Sequence, residues 1–151
     1  MPEPLISVIV PVFNRASDLE KTLESLKEQA FRDFEIIVVD DASSDSSAET
    51  AEKYADCVIV NETNHGPAYS RNRGIEHARA PLTAFIDSDC TAASDWLETV
   101  YRELQSDSID AVMGNTSMPD TTYIGDPIAA LGYPGTANEA FATMCPVDER
   151  G

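Results

Sequence analysis

Two carboxylates separated by one residue, Asp87 and Asp89, follow the apolar run Leu82-Thr-Ala-Phe-Ile86. Carboxylates so spaced past a strand can share one hard cation. Mg2+ and Mn2+ favour oxygen donors and bridge carboxylate to diphosphate. The same two acids could equally cap the next helix or face solvent, because Asp-x-Asp is short and common. A second acidic pair, Asp40 and Asp41, closes the run Glu35-Ile-Ile-Val-Val. There a carboxylate can accept from a ribose or from the N–H of a pyrimidine, or cap the serine-rich segment that follows. Arg71 and Arg73 are two of only ten basic residues. Beside a diphosphate they would be useful; otherwise they pair with surrounding acids. His65 reads as a turn residue, His77 as the surface of a helix, and Trp96 as core.

These residues need elements to place them. Strands are expected at Leu5 to Phe13, Glu35 to Asp40, Cys57 to Val60, Leu82 to Ile86 and Ile109 to Met113, where β-branched and apolar residues run nearly unbroken. A helix is expected from Ser17, with Ser17 and Glu20 as a capping box and Leu19, Leu23, Leu26 and Ala30 on one face. A second helix, with Ser46 and Glu49 as its box, runs to about Tyr54. A third spans Ala68 to about Ala78 and is broken by Pro81. A fourth, capped by Ser94 or Asp95, reaches Gln105. Alternating strands and helices imply an α/β fold, a mostly parallel sheet with helices on both faces. Ligands in such sheets bind beyond the carboxyl ends of the strands. Asn14 and Arg15, Asp40 and Asp41, and Asp87 and Asp89 all fall there. After Met118 the pattern ends. Pro119, Gly125, Pro127, Gly132, Pro134, Gly135 and Pro146 interrupt every few residues, leaving room for one short helix near Asp126 to Leu131. So long an irregular tail is unusual in a compact domain, and the chain is expected to stop before its domain is complete.

Four segments together are specific. They are Ser7-Val-Ile-Val-Pro-Val-Phe-Asn14, Asp33 to Asp45, Gly66 to Gly74 with Arg71-Asn72, and Ala84-Phe-Ile-Asp-Ser-Asp89. In order and spacing they resemble the family-2 inverting glycosyltransferases of the Rossmann-like GT-A nucleotide-diphospho-sugar transferase fold, over about residues 5 to 115. The resemblance implies a nucleotide-sugar-binding domain at 1–118 and, at 119–151, the irregular start of its acceptor side. It implies that Pro11 and Phe13 frame the base and that Asp41 holds its polar edge. Arg71 would lie near the nucleotide. Asp87 would contact the ribose and metal region, and Asp89 would ligate Mg2+ or Mn2+ on the diphosphate. The implied reaction moves a sugar from a nucleotide-diphosphate donor to a hydroxyl of a saccharide, lipid or protein acceptor. The family's base is an acidic residue, often in a Glu-Asp pair beyond a Gly-rich stretch. Asp148-Glu149 lacks the following helix, so the base is expected beyond Gly151.

Composition narrows the alternatives. The formal net charge is -17, which repels nucleic acid and gives no basic patch for anionic lipid. The acids are spread along the chain, as in a surface adapted for solubility or high salt. Three widely spaced cysteines, Cys57, Cys90 and Cys145, form neither a disulfide framework nor a zinc motif. A cytoplasmic location, including the inner face of the membrane, is expected. The first apolar run is too short to span a bilayer. A haloacid-dehalogenase-type phosphatase would use Asp87-Ser-Asp-Cys-Thr91 with Asp87 as nucleophile, but that motif normally opens a chain. A receiver domain would place Asp40-Asp41 after the first strand, and a dinucleotide-binding dehydrogenase would need Gly-x-Gly-x-x-Gly. A nucleotide-binding fragment that transfers nothing is the remaining alternative.

Overall fold

A computed structural model describes residues 3–106 and 108–116. Strands and helices alternate: β1 (Ile6–Val12), α1 (Ala16–Lys27), β2 (Phe34–Asp40), α2 (Ser47–Glu52), β3 (Cys57–Val60), α3 (Pro67–His77), β4 (Leu82–Phe85) and α4 (Trp96–Glu103). The four strands form one sheet in the order β3-β2-β1-β4, and every neighbouring pair is parallel. Val12 is in register with Asp40, and Asp40 with Val60. The carboxyl ends of these three strands are therefore level, and the loops leaving them share one edge of the sheet. The chain divides into two compact units between Glu98 and Thr99, and the whole sheet lies in the first. In the second, the described residues after α4 form no strand or helix.

Strand β1 is buried at all seven positions, as its unbroken apolar run requires when both faces are covered. Side chains alternate between faces. Ile9, Ile37, Val39 and Ile59 form one buried cluster. Helix α3 lies on that face, so close that a Cβ on Gly74 would come within 2.5 Å of Ile9 Cγ2. Val8, Val10, Ile36 and Val38 on the other face are equally buried, as are Leu19, Leu23 and Leu26 of α1 and Ala51 of α2. Burial of large aliphatic side chains contributes roughly 1.5–3 kcal/mol each, so these two layers hold the sheet.

At the amino ends of the strands Glu35 is 3% exposed. It accepts from Ser7 Oγ at 2.6 Å, Arg79 N at 2.9 Å and Arg79 Nε at 2.7 Å. Burial alone would raise its pKa, but these hydrogen bonds and the guanidinium hold it below the usual 4.5. The group ties β1 and β2 to the turn before β4.

Several expectations need correction. Ser17 does not cap α1. The helix starts one residue earlier, with Arg15 at the cap position and no side-chain cap of its own. Ser46 does precede α2, but its side chain makes no cap hydrogen bond. Asp45 serves both helices instead. Its carboxylate accepts from Ala16 N at 3.0 Å and from Ser47 N at 3.0 Å. A local Ser-x-x-Glu pattern lost to an acid 29 residues away in sequence. The expected fifth strand is absent: residues 109–113 form no ladder, and a short run without a paired neighbour leaves its backbone groups to water. Trp96 is half-buried, and the buried residue of α4 is Leu97. The stretch expected to be irregular after Met118, its short helix, Cys145 and Asp148-Glu149 lie outside the described residues.

Candidate functional site

Where β1 ends, the chain turns through Asn14, whose φ is 51°. Asparagine tolerates this left-handed region better than most residues. Its side chain crosses to the loop after β2: Asn14 Oδ1 accepts from Ser44 N at 2.7 Å, and Asn14 N donates to Ser43 Oγ at 2.9 Å. Arg15 N donates to Ser47 Oγ at 3.2 Å. Together with Asp45, these bonds knit the β1–α1 and β2–α2 loops into one surface. The Asp45 carboxyl is held below its usual pKa of 3.8, first by the Ser47 hydroxyl and then by the Ala16 amide.

The two acids at the end of β2 have separate partners. Asp40, 1% exposed, accepts from Ser43 N at 3.2 Å and from the Ser43 hydroxyl. Asp41, 3% exposed, accepts from Asn61 Nδ2 at 2.7 Å, His65 N at 3.0 Å and Gly66 N at 2.6 Å. Burial would raise its pKa, but the Asn61 amide and the two backbone amides outweigh that and keep it below 3.8. Gly66 has φ 87°, a conformation glycine adopts freely, and it begins α3 at Pro67. Asp41 thus fixes the β3–α3 loop. The rings of His65 and Tyr69 pack at a tilt of 36° with centroids 4.4 Å apart. With Asn61 and Arg73 they line a cleft of about 350 Å3.

Past β4, Cys90 N donates to Asp87 O at 3.0 Å, closing a tight turn. Ser88 is buried, and Asp87 and Asp89 on either side of it are exposed. Each acid meets an arginine from another element. Arg71 Nη2 of α3 lies 2.5 Å from Asp87 Oδ1, and Arg15 Nη1 lies 3.3 Å from Asp89 Oδ2. Burial first, then the charges of Asp89 and Asp87, push the Cys90 thiol pKa up. No described group of three or more His, Cys, Asp or Glu could by itself enclose a metal ion.

The structure thus brings together Asp87, Asp89 and Arg71 among the expected site residues. Phe13 stands 45% exposed at the end of β1, whereas Pro11 is buried in register with Val39. Asp41 follows β2, with β1 between it and β4, and is occupied by its own loop. Arg15 had only its position to mark it; its pairing with Asp89, 74 residues on, leaves no trace in the sequence. Asn61 directly follows β3, where ligand-facing residues of parallel sheets gather.

The profile of glycosyl transferase family 2 matches residues 7–123, which include all these loops. The chain belongs to glycosyl transferase family 2. Among curated relatives, it is 30% identical to glycosyltransferase AglE of Haloferax volcanii, over 89% of this chain and 46% of that protein. It is 34% identical to glycosyltransferase GlyG of Streptococcus pneumoniae, over 74% of this chain and 38% of that protein. It therefore spans less than half of either relative. Among solved structures, TarS of S. aureus in complex with UDP-GlcNAc superposes with a TM-score of 0.69 at 30% identity, over 78% of this chain and 36% of that one. The mannosyltransferase PcManGT of Pyrobaculum calidifontis, in complex with GDP-Man and Mn2+, shares the fold, with a TM-score of 0.70 at 23% identity over 82% of this chain and 39% of that one. The family-2 chain has the GT-A fold, which removes the phosphatase alternative. No helix among the described residues is long and apolar enough to cross a membrane.

Proposed function

We propose that this family-2 chain carries the donor-binding half of a glycosyltransferase that moves a sugar from a nucleotide-diphosphate donor to an acceptor hydroxyl. The observation that supports it best is the meeting of Asp87 and Asp89 with Arg71 and Arg15 beyond the ends of β1 and β4. Two carboxylates and two guanidiniums are the groups needed for a cation and a diphosphate. Exposed Phe13 offers an aromatic face to the base, and Pro11 sets the backbone that presents it. Asp41 fixes the loop against which the base's polar edge lies.

The residues fit Mg2+ or Mn2+; the PcManGT complex contains Mn2+. Asp89, with Asp87 beside it, supplies hard oxygen donors at an exposed turn, which leaves the remaining positions to diphosphate and water. A cation held there by Asp89 and Asp87 would neutralise charge on the leaving diphosphate. Arg71 and Arg15 add fixed positive charge near the same groups. The acceptor's proton goes to a separate carboxylate, and none of the described residues is assigned that role. The acceptor is a saccharide, lipid or protein. A module that binds nucleotide without transfer is the second reading, because none of the described residues is assigned the acceptor's base.

The test is thermal unfolding with UDP, GDP and dTDP, with and without Mn2+. A ligand at 100 times its Kd adds about 2.7 kcal/mol, roughly 8 °C for a domain of this size. Metal-dependent stabilisation by one nucleotide supports the proposal. Folded protein that responds to none contradicts it. Where a nucleotide does stabilise, slow hydrolysis of a nucleotide-sugar favours the transferase over the binding module.

A further inference from the structure

Arg15 lies close to two carboxylates. Its Nη1 is 3.3 Å from Asp89 Oδ2 and 3.6 Å from Asp18 Oδ2. Asp18 belongs to the first turn of α1, and Asp89 to the turn beyond β4. The backbone of Arg15 is pinned by Ser47 and by the bonds Asn14 makes to Ser43 and Ser44, so its guanidinium can move only by side-chain torsions. The Arg15 and Asp89 side chains are 52% and 47% exposed. An ion pair so exposed is weak and exchanges readily. A divalent cation and a guanidinium compete for the same carboxylate charge, and they repel each other. Phosphate oxygens, by contrast, suit a guanidinium well.

Resting on the donor-site reading above, we propose that Arg15 is an exchangeable counter-ion of Asp89. With the site empty it neutralises the carboxylate. When a divalent cation takes Asp89, the guanidinium swings to the incoming diphosphate, with Asp18 as its alternative partner. Metal alone therefore binds weakly, because it must displace a cation and then sit beside it. Metal with nucleoside diphosphate binds well, because the diphosphate accepts the displaced arginine. The two ligands bind cooperatively, and each raises the other's affinity by the same factor.

The test is Mn2+ binding, read from the free-ion electron paramagnetic resonance signal, in wild type, Arg15→Gln and Arg15→Lys, each with and without UDP or GDP. In wild type, nucleotide tightens Mn2+ binding. Arg15→Gln binds Mn2+ alone about three- to fivefold more tightly, the scale of one exposed ion pair, and its nucleotide-dependent gain shrinks by a similar factor. Arg15→Lys keeps the charge and stays near wild type. If wild type shows nucleotide-tightened Mn2+ binding but Arg15→Gln binds Mn2+ alone no better, the counter-ion proposal is overturned while the donor site stands. If wild type shows no nucleotide-tightened Mn2+ binding, the donor-site reading falls first and the proposal with it.

Discussion

At the scale of single residues, the acids near the strand ends divide by burial. Asp87 and Asp89 are exposed, and arginines from other elements answer them. Asp40, Asp41 and Glu35 are buried and bonded to their own chain. Asp40 bonds to nearby Ser43, but the partners of Asp41, Asp87 and Asp89 are distant in sequence, so Asp40-Asp41 and Asp87-Ser88-Asp89 look alike when read as letters. What could be read was their place at the carboxyl ends of apolar runs, which is where they are found. Glu35 gives a direct test of a buried acid. Arg79, its partner, is largely exposed, so solvent takes up part of the loss. Glu35→Gln should cost about 2 kcal/mol, the scale of a hydrogen-bonded charge, in urea denaturation with an unchanged slope. A cost below 0.5 kcal/mol, roughly that of an ordinary surface change, would mean that the Ser7–Glu35–Arg79 group is not holding the sheet to the turn before β4.

At the scale of elements, β1 to β4 and α1 to α4 were legible because their apolar runs and periodicities are strong. Their caps were not. Ser17-x-x-Glu20 satisfied a local rule, yet Asp45 reaches Ala16 from another loop. The expected strand at 109–113 had four apolar residues with Asp110 among them, a pattern too short to decide without a pairing partner. Two substitutions test the packing argued above. Asp45→Ala should destabilise by about 1 kcal/mol, the usual value of a lost helix cap. It should also loosen the β1–α1 loop, visible as faster amide exchange at Ala16 and Ser47. Gly74→Ala should destabilise by roughly 1–3 kcal/mol, because the added methyl meets Ile9 Cγ2 at 2.5 Å. Unchanged stability would mean that α3 does not lie as close to β1 as described.

At the scale of the whole molecule, charge sets the response to pH and salt. Glu35, Asp41 and Asp45 all have lowered pKa values in the folded chain. Their contribution is complete above the unfolded values of 4.5 and 3.8 and is lost as pH falls through the folded ones. Stability should therefore decline below about pH 4.5, with net proton uptake on unfolding. The net charge of -17 repels itself at neutral pH, and salt screens that repulsion. Tm should rise between about 0.1 and 1 M salt, over which the screening length falls from about 10 to about 3 Å; a falling Tm would mean that attractive pairs dominate the surface. The central claim concerns one corner of this acidic molecule, where Asp89 accepts a cation that carries a nucleoside diphosphate. Calorimetric titration of UDP and GDP into wild type and Asp89→Asn, with and without Mn2+, tests it most directly. The account predicts that Mn2+ tightens binding of at least one nucleotide in wild type and that Asp89→Asn loses this gain while staying folded. Equal Mn2+-dependent binding by the two proteins would contradict it.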